Sequence, residues 1–150
     1  MSDRYFLDTN IFVYCFDRED KRKQARAETL VGDALQDHLG IISSQVVQEF
    51  LNVATRKFSA PMTARQSRAY LETVLAPLCE VFSSIGLYQQ AIGIHEETRY
   101  SFYDSLMLAA AIEAKCRLVF SEDLHAGQTV RGVTIVNPFD TTKFSGAKKH

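Results

Sequence analysis

Four apolar segments of this chain carry an acidic residue inside them or at their end, and this pattern constrains the fold more than any other feature of the sequence. The acids stand in YFLDTN (Asp8), VVQEF (Glu49), SFYDSLMLAAA (Asp104) and LVFSED (Asp123). A carboxylate is costly to bury, so each acid needs a partner, and several acids lying close together need a cation. The pattern therefore favours a fold in which distant segments meet around a metal site.

Length and composition indicate a single soluble domain. A chain of 150 residues suffices for one hydrophobic core, and 46% hydrophobic and 23% charged residues are ordinary values for globular proteins. No run of about 20 apolar residues is present to span a membrane, and the N-terminus MSDRYFLD lacks a signal-type apolar stretch. We expect a cytoplasmic protein without a membrane segment, with one domain over residues 1–140 and a flexible tail at 141–150.

Neither the cysteines nor the net charge identifies a ligand. The three cysteines are widely spaced and form no CxxC pair, so we interpret them as reduced packing residues and expect no zinc site. The formal net charge of −1 neither supports nor excludes an RNA substrate. One basic cluster either contacts phosphate or is a solvated helix face, and it comprises Arg18, Lys21, Arg22, Lys23 and Arg26.

Strand-like and helix-like segments alternate along the whole chain. Apolar runs predict strands at 5–7, 40–43, 81–82, 117–120 and 133–136. Periodicity and capping signals predict helices at 10–16, 19–39, 44 to the residues before Pro61, 63–78, 87–98 and 101–114, with Asn137-Pro138-Phe139 closing the core. This alternation predicts an α/β domain with a mostly parallel central sheet of about five strands, flanked by helices on both faces.

A parallel sheet would bring the four acids together. Ligands of such sheets bind beyond the carboxyl ends of the strands. Asp8 and Asp123 follow predicted strands by one to three residues, and Glu49 and Asp104 lie in helices that begin just after a strand or a turn. We therefore expect the four side chains to converge at one edge of the sheet.

Each acid also has a structural explanation when it is considered alone. Asp8 is placed to cap the following helix, and Asp104 is the fourth residue of a capping box that begins at Ser101. Asp123 stands in an ordinary polar turn. One shared site explains all of these acids, whereas the structural interpretation requires a separate coincidence for each.

Glu49 is the most ambiguous of the acids. It lies opposite the main apolar stripe of its helix, which favours solvent exposure. Val46 and Val53, at i−3 and i+4, indicate instead a partly sheltered side. The sequence leaves both interpretations open.

A cluster of carboxylates predicts a hard divalent cation. Two unit charges about 4 Å apart repel by roughly 4 kcal/mol at an effective dielectric constant near 20, so the cluster would protonate or destabilise the fold without a cation. Oxygen ligands without Cys or clustered His select Mg²⁺ or Mn²⁺. A water molecule bound to such an ion is a nucleophile suited to phosphodiester hydrolysis.

Other catalytic schemes lack their residues. The chain has no G-x-x-x-x-G-K-[ST] loop, no G-x-G-x-x-G and no G-x-S-x-G motif, which disfavours nucleoside-triphosphate, dinucleotide and serine-hydrolase chemistry. The histidines are too scattered to suggest the acid–base pair of a metal-independent ribonuclease, and they are His38, His95, His125 and His150.

With these residues assembled, the chain resembles the PIN-domain ribonucleases, and within them the VapC toxins of prokaryotic toxin–antitoxin pairs. The resemblance runs from Tyr5 to Phe139 and rests on the order and spacing of five motifs. These motifs are LDTN (7–10), QEF (48–50), YDSLMLAAA (from 103), SEDLHAGQ (121–128) and NPF (137–139).

The resemblance implies a function, a cofactor and partners. The family cleaves RNA endonucleolytically with Mg²⁺ or Mn²⁺, forms homodimers and is blocked by a small antitoxin protein. The family's acidic residues carry over onto Asp8, Glu49, Asp104 and Asp123. Its small polar residues, which orient the acids or the metal-bound water, carry over onto Asn10 and Ser121.

The resulting hypothesis assigns a role to each acid. Asp8, Asp104 and Asp123 hold the ion, directly or through water, while Glu49 completes the pocket and positions or deprotonates the attacking water. The number of ions, the cleaved RNA, the identity of the antitoxin and any role of Glu122 or His125 stay open.

Two alternative functions belong to other classes. A receiver-like signalling domain also places acids at strand ends, but it needs an acidic pair after the first strand and a lysine near the last, and this chain has neither. A non-catalytic PIN scaffold would bind RNA or protein without cleaving it. Retention of all the acids argues against the scaffold.

Overall fold

The computed structural model describes residues 3–140, so the predicted tail at 141–150 lies outside the described residues. The strands are β1 (Tyr5–Leu7), β2 (Gly40–Ser43), β3 (Cys79–Val81), β4 (Leu118–Phe120), β5 (Thr129–Val130) and β6 (Val133–Val136). The helices are α1 (Thr9–Tyr14), α2 (Lys21–Asp37), α3 (Ser44–Arg56), α4 (Ala64–Tyr70), α5 (Ala76–Leu78), α6 (Ile85–Thr98) and α7 (Phe102–Glu113), with a π turn (Leu71–Leu75) joining α4 to α5.

The six strands form one sheet in the order β3-β2-β1-β4-β6-β5. All pairs are parallel except β5 with β6, which is antiparallel. The predicted α/β class and the mostly parallel sheet flanked by helices are therefore confirmed. The prediction of about five strands omitted β5, because this two-residue strand is too short to leave an apolar pattern in the sequence.

The sheet places β1 between β2 and β4, so the segment after β1 lies beside the segment after β4. The amide of Asp8 continues the pairing of these strands by donating to the Phe120 carbonyl at 3.1 Å. On the next strand, the Ser121 amide donates to the Val136 carbonyl at 3.0 Å. The carboxyl ends of β1, β4 and β6 thus meet at one edge, as a parallel sheet requires.

The buried faces of the helices follow the apolar pattern with small shifts. Helix α7 is the most buried, with every residue from Ser105 to Ala111 inside the core. From the sequence, the apolar stripe of helix α2 is predicted to consist of Ala25, Leu30, Ala34 and Leu35. The helix buries Ala27, Leu30 and Ala34, whereas Ala25 is exposed. Side chains two positions apart, such as those of Ala25 and Ala27, lie on opposite faces of a helix.

Several predicted boundaries were wrong by a few residues. Helix α2 was predicted to reach residue 39 but ends at Asp37, where His38 takes a left-handed conformation with φ 61°. Strand β2 begins at Gly40, as predicted. A side chain at Gly40 would meet the Ala34 Cβ at 2.3 Å, so the glycine allows close approach of α2. Helix α3 ends at Arg56, well before Pro61.

Strand β3 was also misplaced by the sequence prediction. It spans Cys79–Val81, and Phe82, predicted to be its second residue, is 64% exposed. The three cysteines are free thiols, as predicted. No helix within residues 3–140 combines the length and the apolar character needed to cross a bilayer.

Candidate active site

The four predicted acids, Asp8, Glu49, Asp104 and Asp123, line a single cavity of about 330 Å³. They reach it from four elements: the turn after β1, helix α3, the first turn of α7 and the loop after β4. The order of the strands in the sheet brings these segments together, as predicted. The polar groups that share the cavity with them are Thr9, Asn10, Gln45, Asn52 and Tyr103.

Asp8 is the most enclosed of the acids, with 8% of its surface exposed. Its carboxylate accepts hydrogen bonds from the Thr9 amide at 2.6 Å and from the Ser121 hydroxyl at 2.8 Å. The first of these bonds caps helix α1. Asp8 therefore serves as a helix cap and also lines the cavity, so the two interpretations of this residue are compatible.

Glu49 is half-buried and faces the cavity, which agrees with the sheltered interpretation of its helix position. Its carboxylate oxygens are both held by neutral donors. The Thr9 hydroxyl donates to one oxygen at 2.7 Å, and the Gln45 amide donates to the other at 3.2 Å. These bonds fix the orientation of the carboxylate without neutralising its charge.

Asp104 lies in the first turn of α7, and Ser101 caps this helix by accepting the Asp104 amide at 3.1 Å. The predicted capping box is only half formed, since the Asp104 carboxylate makes no return bond to the Ser101 amide among the described residues. In α4, by contrast, the box between Thr63 and Gln66 is complete. The Asp104 carboxylate is thus available to the cavity.

Asp123 is held by the two small polar residues predicted to orient the acids. The Asn10 side-chain amide donates to its carboxylate at 2.8 Å, and the Asp123 backbone amide donates to the Ser121 hydroxyl at 3.2 Å. Because Ser121 also donates to Asp8, one hydroxyl links two of the acids. Asn10 and Ser121 therefore contact the acids in the manner the sequence suggested.

Glu122, adjacent in sequence, turns away from the cavity. Its carboxylate pairs with the Lys23 ammonium at 2.5 Å and accepts a hydrogen bond from the Tyr14 hydroxyl. Lys23 also lies over the rings of Tyr14 and Phe139, 4.7 and 5.5 Å from their centroids. The pair anchors the loop that carries Asp123 to helix α2.

Burial and like charge shift the ionisation of the acids. Burial raises the pKa of Asp8 to about 7 against the lowering effect of the bonds from Ser121 and Thr9, and the charges of Asp123 and Glu49 raise it further. Burial, followed by the charges of Glu122 and Asp104, also raises the pKa of Asp123. Burial is thus the main cause of both shifts, and the charges of neighbouring carboxylates add to it.

Sequence reasoning missed two residues that position Glu49. Thr9 stood inside the LDTN motif but was assigned no role, because its partner lies 40 positions away. Gln45 precedes Glu49 by four residues, a spacing that places two side chains on the same helix face. Its amide also donates to the Tyr103 carbonyl at 3.1 Å, which connects α3 to the start of α7.

The basic cluster does not line the acidic cavity. Lys23 is engaged with Glu122, and Arg26 donates to the Pro138 carbonyl at 3.3 Å. The exposed members are Arg18, Lys21 and Arg22.

His125 lies apart from the four acids. It lines a separate open hollow of about 650 Å³ together with Arg99 and Tyr100. Its backbone amide donates to the Tyr100 hydroxyl at 3.0 Å. The structure thus gives His125 no contact with the candidate site.

Comparison with known families assigns the chain to a domain family. The sequence profile of the PIN domain matches residues 5–130. The chain belongs to the PIN domain family. No curated protein matches it by sequence.

Solved structures with the same fold include other PIN proteins of toxin–antitoxin systems. A toxin–antitoxin complex from Klebsiella pneumoniae is 17% identical with a TM-score of 0.63, covering 89% of this chain and 97% of that one. VapC20 of Mycobacterium tuberculosis, a toxin that cleaves the sarcin–ricin loop, is 22% identical with a TM-score of 0.57, covering 79% and 91%. VapBC2 of Rickettsia felis, bound to a promoter DNA fragment, is 18% identical with a TM-score of 0.59, covering 89% and 97%. The resemblance to PIN domains and VapC toxins is confirmed at the level of the fold.

The acids of this PIN domain suit a hydrated hard cation. Within residues 3–140, no group of three or more His, Cys, Asp and Glu side chains is arranged to ligate one ion together. Mg²⁺ usually binds one or two carboxylates and keeps water in its other positions, and its preferred ligand atoms are oxygens. The donor set therefore fits an ion held directly by one or two acids, with the others acting through water.

Proposed function

We propose that this PIN domain is a metal-dependent endoribonuclease that hydrolyses RNA phosphodiester bonds and is the toxin of a toxin–antitoxin pair. The observation that carries the proposal is the convergence of Asp8, Glu49, Asp104 and Asp123 on one cavity. The described residues that line this cavity include no Lys or Arg to neutralise the four carboxylates, which supports cation binding. The membership in the PIN family and the shared fold with VapC20, a toxin that cleaves RNA, support the activity.

Each residue has a part in the proposed reaction. Asp8, Asp104 and Asp123 hold Mg²⁺ or Mn²⁺, directly or through water, and Ser121 and Asn10 keep Asp8 and Asp123 oriented. The bound ion supplies an activated water and stabilises charge on the phosphate oxygens. Glu49, whose carboxylate is fixed by Thr9 and Gln45, positions the attacking water and accepts its proton.

The direct test is RNA cleavage by the purified protein with Mg²⁺ or Mn²⁺, with and without chelator. We expect cleavage that requires the ion and is abolished in the Asp8→Asn and Asp104→Asn proteins. Glu96→Gln, which removes an exposed acid on α6, is the matched control and should cleave at the normal rate. Normal cleavage by a folded Asp8→Asn protein would refute the proposed roles.

A calorimetric titration with Mn²⁺ separates the nuclease from a non-catalytic PIN scaffold. The nuclease should bind the ion in a manner that depends on Asp8. A protein that binds RNA but shows neither ion binding nor cleavage would establish the scaffold. Mapping the cut ends in total cellular RNA after brief expression would identify the RNA that is cleaved.

The proposed partners are an antitoxin protein and a second copy of this chain. The toxin–antitoxin neighbours support the first partner, because the Klebsiella pneumoniae structure contains both components. Co-purification with the product of an adjacent gene, followed by loss of cleavage in the complex, would establish an antitoxin. Light scattering on the isolated protein would establish whether it is a homodimer.

A further inference from the structure

Tyr103 stands out at the candidate active site because it is a large aromatic side chain left in solvent. It is 64% exposed, yet it lines the cavity that contains the four acids. Its neighbour Phe102 is 37% exposed, and the two rings meet edge to face with centroids 5.7 Å apart at an interplanar angle of 75°. This arrangement leaves a face of the Tyr103 ring open at the rim of the cavity.

The position of Tyr103 is fixed by its backbone. Its carbonyl accepts a hydrogen bond from the Gln45 side chain at 3.1 Å, and the residue lies in the first turn of α7 directly before Asp104. The backbone that carries the ring is therefore held at a constant place relative to two acids of the site. An aromatic side chain has only two rotatable side-chain torsions, so it loses little conformational freedom when a ligand stacks on it.

The cavity lacks the usual groups for binding a polyanion. Among the described residues that line it, none is Lys or Arg, and its uncharged polar groups include the amides of Gln45 and Asn52. Contacts between cationic side chains and phosphates supply most of the affinity in ordinary nucleic-acid binding. Besides the contact of the proposed ion with the phosphate, an RNA held here therefore depends on contacts with its bases.

Aromatic side chains bind RNA by stacking on its unpaired bases. A base inside a duplex keeps both of its faces covered, whereas a single-stranded nucleotide can place its base on a Tyr ring. The amide of Asn52 at the same cavity offers both a donor and an acceptor to a base edge. The Tyr103 ring and the Asn52 amide therefore suit the binding of a single-stranded nucleotide at this cavity.

On the basis of the proposed nuclease function, we infer that Tyr103 stacks a nucleobase of single-stranded RNA beside the phosphodiester that is cleaved. Tyr103 is then a substrate-binding residue that sets where the strand lies relative to the acids. A protein-docking surface is the competing explanation, since Phe82, Ile85 and Ile92 are also exposed apolar residues. None of these three lines the acidic cavity, whereas Tyr103 does, which favours RNA.

The first experiment measures cleavage of a single-stranded RNA pool by variants of Tyr103. Tyr103→Leu removes the ring and should lower kcat/KM by roughly 5- to 150-fold, mainly through KM, while Tyr103→Phe keeps the ring and should stay within roughly threefold of wild type. Phe82→Leu is the matched control, because Phe82 is also 64% exposed but lies outside the cavity. Stacking involves no counterion release, so the loss should be the same at low and high salt.

The second experiment detects the stacked base without cleavage. The chain contains no tryptophan, so Tyr103→Trp and Phe82→Trp each place a single fluorescent reporter at a known position. In chelator, the RNA pool should quench the fluorescence of the Tyr103→Trp protein and leave the Phe82→Trp protein unchanged. An abasic oligomer of the same length should quench neither.

The outcomes distinguish this inference from the proposed function. If wild-type protein cleaves RNA but the RNA pool fails to quench Tyr103→Trp, the stacking role is wrong and the nuclease assignment stands. If quenching occurs without cleavage by wild-type protein, the nuclease assignment is wrong and the base-binding role stands. A change of oligomeric state in both Tyr103→Leu and Phe82→Leu, with unchanged kcat/KM, would overturn the inference in favour of a protein-docking surface.

Discussion

The Ser121 hydroxyl donates a hydrogen bond of 2.8 Å to the Asp8 carboxylate, although 113 positions separate the two residues in the chain. The same hydroxyl oxygen accepts the Asp123 amide at 3.2 Å. Ser121 is completely buried, so water cannot replace these bonds. Ser121 therefore joins Asp8 and Asp123 through one short side chain, in addition to the bonds of Asp8 with Phe120 and of Asp123 with Asn10.

Ser121→Ala should weaken both ion binding and the fold. The bond from Ser121 lowers the pKa of Asp8, so its loss raises that pKa and leaves less of the carboxylate ionised at neutral pH. We expect a loss of Mn²⁺ affinity of about 10- to 100-fold and a decrease of about 1–3 kcal/mol in the free energy of unfolding. Calorimetry and urea unfolding measure the two effects.

Ser43→Ala is the matched control for this prediction. Ser43 is also buried, but its hydroxyl oxygen has no hydrogen-bond partner among residues 3–140. Its removal should leave stability and Mn²⁺ affinity unchanged, or raise stability slightly. Equal effects of the two substitutions would show that the Ser121 bridge has no special role.

The raised pKa of Asp8 predicts a pH-dependent stability in the absence of divalent ions. Between the ordinary value of 3.8 and the folded value of about 7, the folded state keeps a proton that the unfolded state has released. The free energy of unfolding should therefore fall as pH rises through this window, by up to about 4 kcal/mol. Urea unfolding in chelator at pH 5 and pH 8 measures the change, and Asp8→Asn should remove this part of it.

Ion binding should have the opposite pH dependence, because the cation binds the ionised carboxylate. We expect the Mn²⁺ affinity of the wild-type protein to rise up to roughly tenfold per pH unit below about pH 7 and to level off above it. Calorimetric titrations across this range measure the profile. An affinity that is constant from pH 5 to pH 8 would contradict the assignment of Asp8 as an ion-binding group.

Thr9→Val should lower kcat with little effect on folding. Valine keeps the shape of the side chain but removes the hydroxyl that donates to Glu49 at 2.7 Å. We expect a loss of roughly 10- to 100-fold in activity, as for other residues that orient groups at metal sites, and recovery in Thr9→Ser. The control is Thr55→Val, since that exposed hydroxyl bonds only to backbone carbonyls of its own helix. Steady-state kinetics and thermal unfolding are the measurements.

Lys23→Met should destabilise the loop that carries Asp123. Lys23 and Glu122 have side chains that are 30% and 24% exposed, so their pair is partly shielded from water, and we expect a cost of about 1 kcal/mol in urea unfolding. The pKa of Asp123 should also rise, because the charge of Lys23 lowers it. The exposed pair of Arg131 and Glu97 provides the comparison, and Arg131→Gln should have no measurable effect on stability.

The acids that follow strands were the easiest part of the site to predict. Asp8 and Asp123 stand directly after apolar runs, and a parallel sheet brings such positions to one edge whatever its exact strand order. Glu49 was ambiguous because helix periodicity records only the main apolar face, and a side chain that faces a small polar cavity looks like one that faces solvent. The orientation of its carboxylate became clear only from the bonds with Thr9 and Gln45.

Other features could not be predicted because they depend on contacts between distant residues. Glu122 and Asp123 are adjacent acids, yet one pairs with Lys23 and the other faces the cavity. The direction of each side chain is set by the loop after β4, and no local pattern in the sequence records it. Strand β5 could not be predicted either, because a strand of two residues becomes stable only through its pairing with β6.

The central position of β1, between β2 and β4, determines when the acidic site can form during synthesis. Asp8 leaves the ribosome before its neighbours Phe120 and Ser121, which are translated more than a hundred residues later. A nascent chain therefore carries no complete site until β4 has emerged and paired, because contacts of such long range form only after the intervening chain is available. The cell is exposed to the assembled site only after the chain through β4 has been synthesised.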